Sequence, residues 1–254
     1  MSITNQAGVT LLATGEKNIL INSGFVINNG NAGVPYVSGA TLTAGQTGHE
    51  CWKVNGNTTY TFTQSKANTQ ITITSGSLIQ VIEDVNVQGT TYTLSWTGTA
   101  QARAGVNSAT PSGSYVSSPL VITGQTPGQT LSIEFNSGTL SNPQLELGSV
   151  ATAYEYKRYQ QELEATERYA ETLIAPASTS LLVSAYYAGS YQISWIFKTT
   201  KYAIPSFVLV SGAWQGEFPS VWGGRKEIHM AHANTAFYLL AASDSVAAIA
   251  LARL

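Results

Sequence analysis

The chain of 254 residues carries 26 charged side chains, 12 Lys or Arg and 14 Asp or Glu, for a net charge of −2. That is 10% charged against roughly 25% in an ordinary soluble domain, with hydrophobic residues at 43%, so neither disorder nor a nucleic-acid footprint is expected. No apolar run reaches the length of a membrane helix, no Lys/Arg cluster marks a membrane surface, and the single cysteine excludes an internal disulfide framework. Ser, Thr, Asn, Gln and Gly stand in for the missing charge. Such a surface packs against other chains without repulsion, or offers neutral hydrogen bonds to sugars.

The opening "MSITNQAGVTLLATGEKN" has no basic segment followed by an apolar core, so no secretory signal is expected, and residues 1–17 read as a loose arm or attachment segment. From Asn18 to about Glu146, strand follows strand. "KNILINSGFVINNG" runs into the turn "NNGNAG", while "TTYTFTQ" and "TQITITSG" alternate with period two. "TTYTLSWTGTAQARAG" sets Tyr92, Leu94 and Trp96 on one face and Thr93, Ser95 and Thr97 on the other. "SPLVITGQTPGQTLSIEFNSG" adds two strands around a Pro/Gly turn. Short β-branched and aromatic strands, punctuated by Gly, Asn and Pro, predict an all-β antiparallel sandwich over residues 18–150.

The texture changes at residue 151. Residues 155–171 hold eight of the 26 charges, and Tyr156, Tyr159, Leu163, Thr166, Ala170 and Leu173 recur at spacings of three or four, which predicts a helix within a linker over 151–175. Pro176 cannot continue it. The Tyr/Leu stripe is expected to pack inward between neighbouring copies, with Glu162, Glu164 and Glu167 solvated or paired across chains; the alternative is an intrachain helix that covers a sheet edge. Over 176–254 strands return, as "SLLVSAYYAG", "SYQISWIFKTT", "PSFVLVSG", "KEIHMAHA", "NTAFYLLAAS" and "SVAAIALARL". A unit so small and apolar is marginal alone, and oligomerisation is the usual remedy.

Catalytic signals are thin, and no enzyme is expected. "HMAH" is strand-like, so His229 and His232 would face opposite ways and make a poor metal pair; the adjacent Glu83 and Asp84 would face apart too. Neither a G-x-S-x-G elbow nor a phosphate-cradling loop is present, and the paired carboxylates of polysaccharide cleavage are scarce. Binding is better represented, because sugars stack apolar faces on rings and present hydroxyls to Asn, Gln and Asp. Trp52 and Trp96 read as core, and Cys51 as a small buried hydrophobe. Trp214 and Trp222 flank Gly- and Pro-containing turns with Gln215, Arg225 and His229 nearby; they are candidate ligand contacts, and equally candidate anchors of an interface between copies.

Several stretches carry a resemblance: "NILINSGFVIN", "GHECWKV", "GSLIQVIEDVNVQGTTYTLSWTGTAQAR", "LSNPQLELGSVATAYEYKRYQQELEATERYAETL" and "FKTTKYAIPSF". Together they are similar to a family of bacteriophage tail-fibre and tail-tip proteins, most specifically through Gln144–Glu146, Gly148, Ala151–Thr152, Tyr154–Glu155, Arg158, Glu162–Leu163 and Arg168–Tyr169. The resemblance spans roughly residues 18–205. It implies a jelly roll like a carbohydrate-binding module, a helical linker and a small C-terminal β domain, assembled as a homotrimer. It further implies a virion protein mounted on other tail or baseplate proteins through the N-terminal arm and touching host surface glycans, or, alternatively, a collar, baseplate or head-decoration fibre that does not touch a receptor. Related sugar-binding jelly rolls hold a structural calcium with an acidic residue near the early "NG-x-F" turn. This chain has "NSGFVINN", with Val26 after Phe25, and departs from that pattern.

Overall fold

The structure is a computed structural model that describes residues 2–4, 10–12, 16–30, 35–175, 184–187, 190–203, 206–209, 213–215, 220–223, 226–233, 238–240 and 245–251, with side chains described over 16–30, 35–171, 196–203 and 226. Most of it is antiparallel strand. β1 (Ser2–Thr4) and β2 (Thr10–Leu12) pair as a hairpin within the segment expected to be loose. Then β3 (Thr41–Leu42), β4 (Lys53–Phe62), β5 (Ile71–Ile82), β6 (Thr91–Thr97), β7 (Ala102–Gly105), β8 (Ser112–Val116), β9 (Leu120–Thr123), β10 (Leu131–Phe135) and β11 (Gly138–Leu147) form one nine-stranded, nearly closed, barrel-like sheet. The long β5 is its branch point: β4 lies along one edge, while β10 and the start of β11 share the other. At a bulge between Ser141 and Gln144, where Asn142 takes a φ of 53°, β11 turns away from β5 and continues along β6.

Strict alternation fills the interior. Leu131, Ile133 and Phe135 of β10 point into the core, as do Tyr92, Leu94 and Trp96 of β6. Phe135 packs between Trp52 and Trp96, with ring centroids 6.0 and 5.1 Å away. Each indole N–H donates to a backbone carbonyl, Trp52 to Asn22 (3.0 Å) and Trp96 to Ala100 (2.8 Å), so these rings are buried without an orphaned donor. Burial of each such side chain contributes about 1.5–3 kcal/mol.

Two sequence expectations are corrected. "KNILINSGFVIN" is not a strand. The Asn22 carboxamide accepts from the N–H groups of Val26 and Ile27 and donates to the carbonyls of Ile27 and Glu50, which winds the segment into a tight corner with Asn22 and Phe25 at φ of 52° and 49°.

The second correction concerns the linker. The helix α1 (Tyr159–Glu167) stops after nine residues, and Ala170 and Leu173 lie instead in β12 (Ala170–Ala175). Tertiary pairing overrides the periodicity, because β12 aligns Ala170 with Leu251 and Leu173 with Ala248 of β20 (Ser245–Leu251). The other C-terminal strands are β13 (Ser184–Tyr187), β14 (Ser190–Ile196), β15 (Ser206–Leu209), β16 (Ala213–Gln215), β17 (Ser220–Gly223), β18 (Glu227–Ala233) and β19 (Tyr238–Leu240). They form small sheets in the orders β12-β20-β15, β13-β14-β18-β17 and β16-β19. Among the described residues no helix is long and apolar enough to cross a membrane.

Candidate functional site

The residues singled out in sequence divide into three places. Of the C-terminal set, Trp222 and His229 are direct register partners across β17 and β18, whereas Trp214 and Gln215 lie in β16 opposite Leu239 and Tyr238. All four stand in strands rather than in the expected loops, so they occupy two different sheets, and Arg225 lies outside the described residues.

The linker residues form the second place, and their charges turn inward. Glu162, Thr166 and Glu167 are the buried face of α1, while Tyr156 and Tyr159 are 67% and 56% exposed. The expected single stripe therefore splits. Thr166 and Ala170 are already buried within one chain, Leu163 is half-buried, and Leu173 has moved into a strand. The carboxylates serve as intrachain ties. Glu155 Oε2 accepts from the backbone N–H groups of Lys17 (2.7 Å) and Asn18 (2.8 Å), and Glu162 Oε2 accepts from that of Asn22 (2.6 Å). Lys157 donates to the Leu20 carbonyl (3.0 Å). Glu146 accepts from the N–H and hydroxyl of Thr152, each at 2.7 Å, and from Gln144 (2.9 Å).

Further on, Arg168 grips Glu83 through Nε and Nη2 at 2.6 and 2.7 Å, and the Tyr169 hydroxyl donates to the same carboxylate at 2.6 Å. Lys201 donates to Glu171 (2.7 Å) and to the Glu167 carbonyl, while Lys198 pairs with Glu167. Between these ties runs a groove of about 1030 Å³, lined by Lys17, Asn86, Gln88, Glu146, Lys157 and Arg168 among others. It has the volume for a ligand, but its aromatic rings, Tyr92 and Tyr169, are buried and already hydrogen-bonded, which leaves no platform for a sugar face.

The third place was not singled out in sequence. The register aligns Lys53 of β4 with Ile79 of β5, Ile79 with Glu134 of β10, and Glu134 with Arg103 of β7. Because partners across a sheet share a face, these side chains form one row on the face opposite the core-facing Ile133 and Phe135, with Ile79 and Glu134 buried in it and Lys53 and Arg103 half-buried. Tyr115 of β8 extends the row: the Arg103 guanidinium carbon lies 4.7 Å from its ring centroid. Glu134 is the buried hub. It accepts from Arg103 Nε (2.5 Å), Ser77 Oγ (2.5 Å) and Asn55 Nδ2 (3.0 Å). Burial alone would push its carboxyl up; hydrogen bonds from Ser77, Arg103 and Asn55 outweigh burial and hold it below the usual carboxylate range.

The same pairing raises Arg103, and burial raises Tyr115, whose phenol faces Glu134 and Ser77. The result is a half-buried ring flanked by an oriented guanidinium and an exposed carboxamide. The signal in sequence was slight but physical: in a chain so poor in charge, "TAQARAG" and "LSIEF" each put one charged residue inside a strand. A carboxylate this well supplied with donors is a fixed anchor rather than a proton carrier, and no second carboxylate touches it among the described residues.

Other expectations resolve singly. Trp52 and Trp96 are core; Glu83 is buried and Asp84 exposed, so they do face apart. Cys51 is half-buried rather than buried, at a φ of 67°, beside a cavity of about 30 Å³ shared with Lys53, Ile79 and Tyr169. His49 is sealed among Phe25, Tyr60 and Phe62. Among the described residues no group of three or more His, Cys, Asp or Glu is placed to hold a metal ion. Compared with known protein families, curated proteins and solved structures, the chain finds no match.

Proposed function

We propose that the chain is a phage virion tail-fibre or tail-tip protein, not an enzyme, that attaches to the host surface by weak, repeated contacts with surface glycans. In this reading residues 18–150 are a jelly-roll sandwich and 176–254 a separate β domain. Three copies associate, the N-terminal arm mounts them on neighbouring virion proteins, and the exposed Tyr156 and Tyr159 face the other copies. Several weak sites on one rigid particle gain avidity without any single tight pocket.

The observation that carries the reading is the outer sheet face: Tyr115 stacked with Arg103, which the buried Glu134 orients beside Asn55. An aromatic ring with oriented hydrogen-bonding groups at its edge, on rigid strands, is what sugar recognition needs. The neutral, Ser/Thr/Asn-rich surface supports it as well, since a sugar brings hydroxyls and no charge.

The test is direct. Purified, fluorescently labelled protein is expected to decorate host cells and to block phage adsorption. Normal adsorption in its presence, with virions lacking the chain failing to assemble, would replace attachment by a structural role in a collar or baseplate.

A further inference from the structure

Resting on the attachment reading, we infer that the Tyr115 platform is itself the glycan subsite and that it takes an uncharged pyranose rather than an acidic sugar. The geometry specifies the fit. Tyr115 has the Arg103 guanidinium against its ring and is half-buried on an outer strand, and the ring surface that stays accessible is what would take the C–H face of a sugar. Beside the ring, Arg103 spends Nε on Glu134 and Nη1 on the Gly113 carbonyl (3.4 Å), and Asn55 spends Nδ2 on Glu134. Asn55 Oδ1 accepts no hydrogen bond among the described residues, while the Arg103 guanidinium also bonds the Tyr115 side chain. The Asn55 amide, held by the buried carboxylate, matches a sugar hydroxyl that donates to Oδ1, and the partly exposed edge of the Arg103 guanidinium on the same carboxylate serves a second hydroxyl.

Charge decides the class of sugar. Glu134 lies 2.5 Å from Arg103 and has no exposure, so the positive charge that a uronate or sialic acid would seek is already neutralised by a fixed, desolvated anion. A ligand carboxylate would have to share that guanidinium with Glu134 and would gain a repulsion in a partly dry setting. Neutral hydroxyls meet no such opposition. The groove near Arg168 offers no rival platform, because its rings are buried.

The experiment uses the full chain in saturation-transfer NMR and on a glycan array that carries gluco-, galacto- and manno-configured neutral oligosaccharides beside matched uronate and sialylated ones. Neutral pyranosides are expected to bind, with saturation transfer strongest at ring C–H protons. Tyr115→Ala should weaken binding roughly tenfold, which corresponds to about 1.4 kcal/mol. Tyr115→Phe should keep most of the binding. Arg103→Gln should weaken it for every neutral sugar, and circular dichroism checks that each variant is folded.

Preference for acidic glycans, or neutral binding that survives Tyr115→Ala, overturns the inference. The host-cell experiment separates this from the broader reading. Cells labelled equally by wild type and Tyr115→Ala leave attachment standing and remove the subsite. Array binding with no cell labelling removes attachment and leaves the subsite.

Discussion

Replacing Glu83 by Ala probes the tie between the barrel-like sheet and the C-terminal strands. Glu83 is 3% exposed and receives three short charge-assisted bonds, two from Arg168 and one from the Tyr169 hydroxyl. Without it, the buried Tyr169 hydroxyl is left without an acceptor, a loss of about 1–3 kcal/mol. Arg168 loses its counter-charge, but its side chain is 30% exposed and it keeps a bond to the Thr200 carbonyl (2.9 Å), so its share falls below the 3–5 kcal/mol typical of a fully buried broken pair. The expected total is about 3 kcal/mol, or roughly 6–12 °C in Tm for a chain of this length. Glu83→Gln preserves the volume and one acceptor and should lose about half as much.

Urea unfolding of the wild type, both variants and Arg168→Leu gives the stabilities, and the double-mutant cycle isolates the coupling, expected to lie at about 1–3 kcal/mol. A loss below about 1 kcal/mol for Glu83→Ala, with an unchanged m-value, would mean that water solvates these groups and that the tie is decorative.

Three further outcomes are expected. Burial drives the His49 imidazole down to about 4, against a smaller opposing push from its Gln64 bond. Since the folded value lies below the ordinary 6.5, its contribution is fully present above 6.5 and lost as pH falls through about 4; stability should drop by about 3 kcal/mol over that window, and NMR should show His49 still neutral at pH 5. Glu162 behaves oppositely: burial raises it despite Lys157 and the Asn22 and Ser23 N–H groups, so its contribution is present below 4.5 and lost as pH rises through the elevated value. Glu162→Gln should remove that decline, seen as a stability gain over wild type that grows with pH; a constant difference would contradict the sign. Finally, Tyr156→Ser with Tyr159→Ser should change single-chain stability by no more than about 0.5 kcal/mol, because both rings are exposed, yet lower the fraction of the proposed trimer in mass photometry. A wild type that is already monomeric, or an unchanged oligomer distribution, would remove the proposed interface from these tyrosines.

Much of the architecture was legible because strands announce themselves by alternation. Tyr92, Leu94 and Trp96 point inward as their period of two requires, and Phe135 ends a strand whose every second residue is core. The linker misled for a definite reason. Spacing of three and four fits a helix, but it cannot reveal that β20 offers Ala170–Ala175 a partner strand, nor that backbone N–H groups at Lys17, Asn18 and Asn22 await carboxylate acceptors. Charge in the linker was read as solvated or paired across chains, whereas Glu155, Lys157, Glu162, Glu167, Arg168 and Glu171 are bonded within this one. "KNILINSGFVIN" failed for a related cause, since one Asn side chain competes with the ladder for the local backbone. The Tyr115 platform was invisible because it joins β4, β5, β10, β7 and β8, and only register brings Asn55, Ser77, Glu134 and Arg103 together.

The ties between residues 17–22 and 145–162 have a mechanical consequence. Lys17, Asn18, Ile19 and Asn22 are bonded through their backbone N–H groups to Glu155, Leu145 and Glu162. Tension applied between the N-terminal arm and the strands beyond Arg168 therefore crosses from one segment to the other at these bonds, which share the load in parallel instead of parting one after another. Residues 23–144 lie between the two sides of this clasp, so such tension would load these bonds before it pulled on most of the sheet.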